Sequence, residues 1–189
     1  MKVGLYFGSF NPVHTGHLII ANFVAYNTDV DSVWFVISPQ NPLKPSASLL
    51  NEYDRLHLVS LAIENEPRLR ASNVEFSLPR PSYTIDTLTY LREKYPDYEF
   101  VVILGSDSLE NLPRWKNHEL ILRDYALYVY TRPGHPSPSH LGDSVTVLSA
   151  PLLDLSASAI RRMIREEKSV RYMVPDNVYE YIKTNHYYR

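Results

Sequence analysis

No cysteine occurs among the 189 residues. That excludes a disulfide framework, a thiolate metal site and a cysteine nucleophile, and it fits a cytoplasmic chain. No apolar run approaches the roughly 20 residues of a membrane span, and with the first strand beginning at Lys2 no signal peptide is expected. A surplus of one charge is missing too. Nineteen basic residues face 21 acidic ones, for a formal net charge of −2, which gives no field favouring nucleic acid or an anionic membrane. Any preference for phosphate must therefore be local. The two common phosphate loops are absent as well: no Gly-Lys-Ser/Thr closes a Walker loop, and no three spaced glycines form a dinucleotide fingerprint. There are no internal repeats. What remains reads as one globular domain over residues 1–189, 44% hydrophobic, able to bury roughly 70% of its unfolded surface, with 151–189 as a small C-terminal helical part.

The stretch around which the chain is organised is Gly8-Ser9-Phe10-Asn11-Pro12-Val13-His14-Thr15-Gly16-His17. It follows the apolar run Val3 to Phe7, a buried parallel strand, and precedes Leu18 to Ala21, the buried face of a helix. Strand, glycine turn, helix is an order that aims backbone N–H groups and a positive helix end at whatever lies above the strand, a seat for phosphate. If the helix begins near Thr15, His14 and His17 share its first turn and face the same anion.

Further on, Ser32 to Ser38 reads as a second buried strand, and the loop from Pro39 to Ser48 at its carboxyl end carries one cation, Lys44, in position either for substrate phosphates or for solvent. A packing helix follows Asn51, its expected cap, and ends near Pro67. Leu69 to Phe76 is a weaker strand. Ser82 or Thr84 is expected to cap the next helix, whose N–H groups would equally suit a carboxylate. Tyr98 to Leu104 is the strongest strand and runs into Gly105-Ser106-Asp107, so two strands end in glycine as a topological switch point requires. Asp107 is expected to cap the following helix or to meet a ribose. Trp115, between Arg114 and Lys116, is either a stacking platform for a planar ring or a lid over the core edge. Tyr125 to Thr131 and Ser144 to Ser149 are further strands, and His135 and His140, in the loop between them, are expected at the surface. Ser156 or Ser158 caps a late helix with Arg161 in its first turn, where the dipole disfavours a cation unless an anion compensates. The last helix, around Val178, packs.

The pattern as a whole resembles the bacterial nicotinate mononucleotide adenylyltransferases, members of the nucleotidylyltransferase superfamily, from Lys2 to Ile182. The first signature is matched by Gly8, Pro12, His14 and His17, the Ser-Tyr-Thr helix start by Ser82, Tyr83 and Thr84, and the Gly-x-Asp turn by Gly105 and Asp107. Trp115 matches the aromatic after that turn, and Ser156 with Arg161 the late Ser-x-x-x-x-Arg signature. Asn11 stands where aspartate is frequent, and Leu155-Ser156-Ala157-Ser158 replaces Ile-Ser-Ser-Thr. The resemblance implies a Rossmann-like, doubly wound, mostly parallel α/β sheet and adenylyl transfer from ATP to nicotinate mononucleotide with Mg²⁺ in NAD biosynthesis. It implies that His14, His17 and Arg161 are catalytic, that Gly8, Ser9, Phe10, Gly105, Asp107 and Ser156 join them around ATP, and that Lys44, Tyr83, Thr84 and Trp115 take the pyridine mononucleotide. No carboxylate cluster suggests a protein metal cage, so Mg²⁺ is expected mainly on ATP phosphates. The alternatives are nicotinamide mononucleotide or pantetheine phosphate as acceptor, a nucleotide-binding regulator without turnover, and an RNA-binding relative of the synthetases.

Overall fold

The computed structural model describes residues 1–40, 42, 49–136, 142–151 and 153–189. Six strands form one sheet: β1 (Lys2–Gly8), β2 (Ser32–Ile37), β3 (Leu69–Ser72), β4 (Glu99–Gly105), β5 (Ala126–Tyr130) and β6 (Val145–Leu148). Their order is β3-β2-β1-β4-β5-β6, and every pairing in the sheet is parallel. The expected "mostly parallel" sheet is thus wholly parallel among the described residues. The helices are α1 (Thr15–Asn27), α2 (Glu52–Ile63), α3 (Thr84–Lys94), α4 (Ser106–Glu110), α5 (His118–Asp124), α6 (Ala157–Arg165) and α7 (Asp176–Thr184).

Parallel strands need helical crossovers, and helices on both faces bury both faces of the sheet. All six residues of β2 are buried accordingly. On one face Tyr6, Phe35 and Ile103 pack with Ile20 and Val24 of α1, Leu58 of α2, Ile160 of α6 and Val178 of α7. On the other, Leu5, Val36, Val102 and Leu104 pack with Leu88 and Leu91 of α3 and Ile121 of α5. Each such side chain contributes about 1.5–3 kcal/mol on full burial. Both helices of the C-terminal part are therefore fastened to the same core as β1.

The strand expected over Leu69 to Phe76 stops at Ser72 and gives way to a 3₁₀ turn, Val74–Ser77, that buries Glu75. Asn51 caps α2 as expected, its Oδ1 accepting from the Tyr53 N–H at 2.9 Å. Neighbouring strands β1 and β4 send their chains to opposite faces, so a crevice opens beyond Gly8 and Gly105.

Candidate active site

The turn after β1 is built differently from the glycine turn expected. Its left-handed residue is Phe10, at φ 45°, a conformation that costs a non-glycine residue roughly 1–2 kcal/mol. Burial of the ring, 2% exposed, offsets this. Gly8 is required because a Cβ there would lie 2.8 Å from that ring. The Phe10 ring in turn stands edge-on to His17, centroids 5.1 Å apart, and so fixes the histidine's orientation.

His14 is the N-cap of α1, and the rings of His14 and His17 stack at 3.6 Å. Each ring is turned to the other's backbone as in a capping box, but only one side closes a hydrogen bond, His14 N–H to His17 Nδ1 at 3.3 Å. Nδ1 of His14 is buried without a hydrogen-bond partner among the described residues. Burial, and then the charge of Arg132, push the His14 imidazole down to about 4. With no anion beside it, His14 is therefore neutral at pH 7.

Beneath this turn lies Arg55 of α2, fully buried. Its guanidinium donates to the carbonyls of Ser9 at 2.6 Å, Ser38 at 2.9 Å, Leu50 at 2.8 Å and Pro39 at 3.4 Å. One cation thus holds the chain leaving β1 and the chain leaving β2. Asn11 adds a second fastening: its Oδ1 accepts from the Leu50 N–H at 3.2 Å and its carbonyl from Arg161 Nη1 at 2.7 Å. Arg161 is the fifth residue of α6, past the first turn where it was expected, so the helix dipole bears on it little. Its Nε is buried without a hydrogen-bond partner among the described residues. Ser156 is the cap, accepting from the Ala159 N–H at 3.3 Å.

At β4 the N-cap of α4 is Gly105 itself, and Asp107 does not cap. Its carboxylate is 3.8 Å from Nε of Arg132 instead. A Cβ on Gly105 would meet that carboxylate and lie 2.8 Å from Arg132 Cδ, so a larger residue there would push these two side chains aside. The N-cap of α3 is Tyr83, with no side-chain hydrogen bond, which corrects the expectation that Ser82 or Thr84 caps it. The first N–H groups of α3 are left without a capping side chain. Trp115 is half-buried against the core, so it is both a wall of the crevice and a lid on the core edge. Lys116 beside it bonds Asp86 at 2.9 Å and lies over the Tyr83 ring at 5.0 Å.

Two cavities fill the crevice. One, of about 520 Å³, gathers Gly8, Ser9, Phe10, His14, His17, Asp107, Ser156 and Arg161. The other, of about 530 Å³, gathers Tyr83, Thr84, Gly105 and Trp115. They share a wall of Tyr6, Phe7, Gly8, Asp107, Ser108 and Tyr130. Every predicted site residue within the described residues lies on one cavity or the other; Lys44 lies outside the described residues, as does His140. His135 is at the surface as expected, 2.8 Å from Glu110.

Comparison with known proteins agrees with this geometry. The family model described as cytidylyltransferase-like matches residues 5–163, and the chain belongs to that family of nucleotide-transferring α/β proteins. Within it the chain belongs with the nicotinate-nucleotide adenylyltransferases. A protein of Cytophaga hutchinsonii named probable nicotinate-nucleotide adenylyltransferase is 55% identical over 100% of this chain and 98% of its own. A namesake from Flavobacterium psychrophilum is 45% identical over the full length of both. Among solved structures, nicotinic acid mononucleotide adenylyltransferase of Plasmodium falciparum complexed with NaAD superposes with a TM-score of 0.86, covering 99% of this chain and 97% of that one at 20% identity, a likeness of fold.

Arg132, which lines the first cavity, is not among the site residues expected from the sequence, where it opens a proline-rich loop and belongs to no motif. The available signal was its place just after the carboxyl end of a strand, where α/β sheets bind ligands. Sequence reasoning also missed Arg55, treated as part of a packing helix, and the hydroxyls of Tyr6 and Tyr130.

Proposed function

We infer that this chain transfers the adenylyl group of ATP to nicotinate mononucleotide, giving deamido-NAD and pyrophosphate, and that the whole chain acts as one nucleotidylyltransferase domain. The observation that carries the reading is the pair of cavities joined at Gly8 and Asp107, one rich in histidine and arginine, the other walled by an indole. ATP occupies the first, with His14, His17, Arg132 and Arg161 around the triphosphate. The acceptor occupies the second, its ring against Trp115 and its carboxylate at the N–H groups of Thr84 and Ile85.

The attacking group is already a phosphate anion, so no strong base or protein nucleophile is needed, and the rate rests on in-line placement and charge neutralisation. His17, fixed by Phe10 and the His14 backbone, donates to the phosphates as the α–β bond breaks. Arg161 is held by Asn11 while its buried Nε lacks a partner among the described residues. Among the described residues no three of His, Cys, Asp or Glu lie together to hold a metal, and Asp107 is engaged by Arg132. That donor set fits Mg²⁺ carried by phosphate oxygens and water, where it would supply further neutralisation of the triphosphate. Mixing the protein with ATP, Mg²⁺ and, in turn, nicotinate mononucleotide, nicotinamide mononucleotide and pantetheine phosphate, and following pyrophosphate, tests the reading. Release is expected to be fastest with the nicotinate acceptor; no release with any of the three overturns it.

A further inference from the structure

On the wall between the cavities the hydroxyls of Tyr6 and Tyr130 lie 3.0 Å apart, in chain segments 124 residues distant. Two phenols carry two protons, and one hydrogen bond uses one of them. Both phenols line both cavities, so the other proton stands where a bound ligand can accept it. Two charges flank the pair: the Asp107 carboxylate, which is engaged by Arg132, and Arg132 itself, which can only donate and whose charge favours an anion beside the hydroxyls. Burial pushes both phenols above their ordinary value, so both keep their protons at working pH. Tyr130 is the more exposed, at 8% against 4% for Tyr6.

We propose that the Tyr130 hydroxyl, accepting from Tyr6 and set beside Arg132, donates its own proton to a phosphate oxygen of the bound nucleotide where the two cavities meet. The proposal rests on the adenylyl-transfer reading for the identity of that phosphate. No bond of the phenol breaks and no proton is transferred; the hydroxyl is a largely buried neutral donor already in place as charge spreads over the phosphoryl oxygens. Tyr130 is then a catalytic residue and Tyr6 a positioning residue that acts through it.

A mutant cycle on the full chain tests this. Tyr130→Phe should lower kcat by roughly 10- to 100-fold, a little below the loss for a charged or preorganised oxyanion donor, and weaken binding of ATP measured without acceptor by a smaller factor. Tyr6→Phe, which removes the bond that orients Tyr130 but leaves its proton, should lower kcat by a smaller factor than Tyr130→Phe does. Each single change leaves a buried hydroxyl without its partner and should lower Tm, whereas the double variant replaces both partners by apolar rings and should recover Tm. The proposal requires that kcat stay low in the double variant while Tm recovers. It is overturned if kcat recovers together with Tm, if Tyr6→Phe loses more turnover than Tyr130→Phe, or if Tyr130→Phe turns over within twofold of the parent. Parent activity with nicotinate mononucleotide checks the underlying reading separately. The ATP-binding arm still tests the contact should no acceptor react.

Discussion

At the end of β1 the turn is fastened from beneath by a guanidinium that solvent does not reach, with four carbonyls as its partners. At the end of β4 the corresponding turn is fastened by the Asp107–Arg132 pair, whose side chains remain 39% and 32% exposed. The first arrangement is strong because a buried donor left without its acceptors is expensive in both directions, whereas a partly solvated ion pair contributes little. The β1 end of the crevice is thus held firmly by construction. The β4 end keeps an ion pair that a ligand could rearrange at small cost.

Removing Arg55 is the harshest way to break this contrast. Arg55→Leu would strand the Ser9, Ser38 and Leu50 carbonyls, at about 1–3 kcal/mol each if they stay buried, and a loss of about 4 kcal/mol or more is expected in urea unfolding. Asp107→Asn, on the same measure, should change stability by less than about 1 kcal/mol; similar losses for the two would erase the distinction between the strand ends.

The next effect is on chemistry. His17→Ala should lower kcat by about 100-fold or more, the loss typical of a single preorganised donor, with a smaller change in the KM for ATP because charge builds up only as the bond breaks. A variant with near-normal kcat would remove His17 from the catalytic set.

The buried state of His14 gives a pH signature of the turn after β1. The folded protein refuses, down to about 4, a proton that the unfolded chain accepts below its ordinary value near 6.5. The unfolded state therefore binds more protons across that window. Stability should be full above pH 6.5 and decline by on the order of 3 kcal/mol as pH falls towards 4. Urea midpoints at pH 7, 6, 5 and 4.5 on the parent and on His14→Gln check this. The same decline in both would assign it to other groups.

The smallest expected effect sits at the acceptor end. A carboxylate accepts from the N–H groups at the start of α3, whereas a carboxamide turns an NH₂ towards donors, at about 1–3 kcal/mol for the unpaired group. A preference of at least tenfold in kcat/KM for nicotinate over nicotinamide mononucleotide follows. Trp115→Ala should weaken both substrates and keep most of that ratio. A ratio that collapses would move selectivity from the Thr84 backbone to the indole.

The sequence made the sheet legible because its central strands are buried on both faces and read as unbroken apolar runs, and it made the histidine turn legible because glycine, proline and both histidines fall within ten residues. It misled where local preference met a tertiary demand. Ser82, Thr84 and Asp107 are good capping residues by type, yet Tyr83 and Gly105 occupy the cap positions, leaving the first N–H groups of α3 uncapped and Asp107 to Arg132. Gly8 suggested a glycine conformation, while the left-handed backbone fell to Phe10 because its ring fills the space under the strand end. Arg55 was invisible for a simpler reason: one cation in an amphipathic helix carries no sign of the three loop segments it bonds.

Asn11 shows what this wiring means for anyone who would move the motif. Its side chain holds Leu50 and its carbonyl holds Arg161, 39 and 150 residues away. Grafting Gly8 to His17 onto another parallel sheet would carry over two histidines and a helix start, but the segment would arrive without the groups that set its shape. A working transplant needs the donors at Leu50, Arg55 and Arg161 as well, so the smallest portable unit of this turn is a three-dimensional patch drawn from three stretches of chain, not a ten-residue peptide.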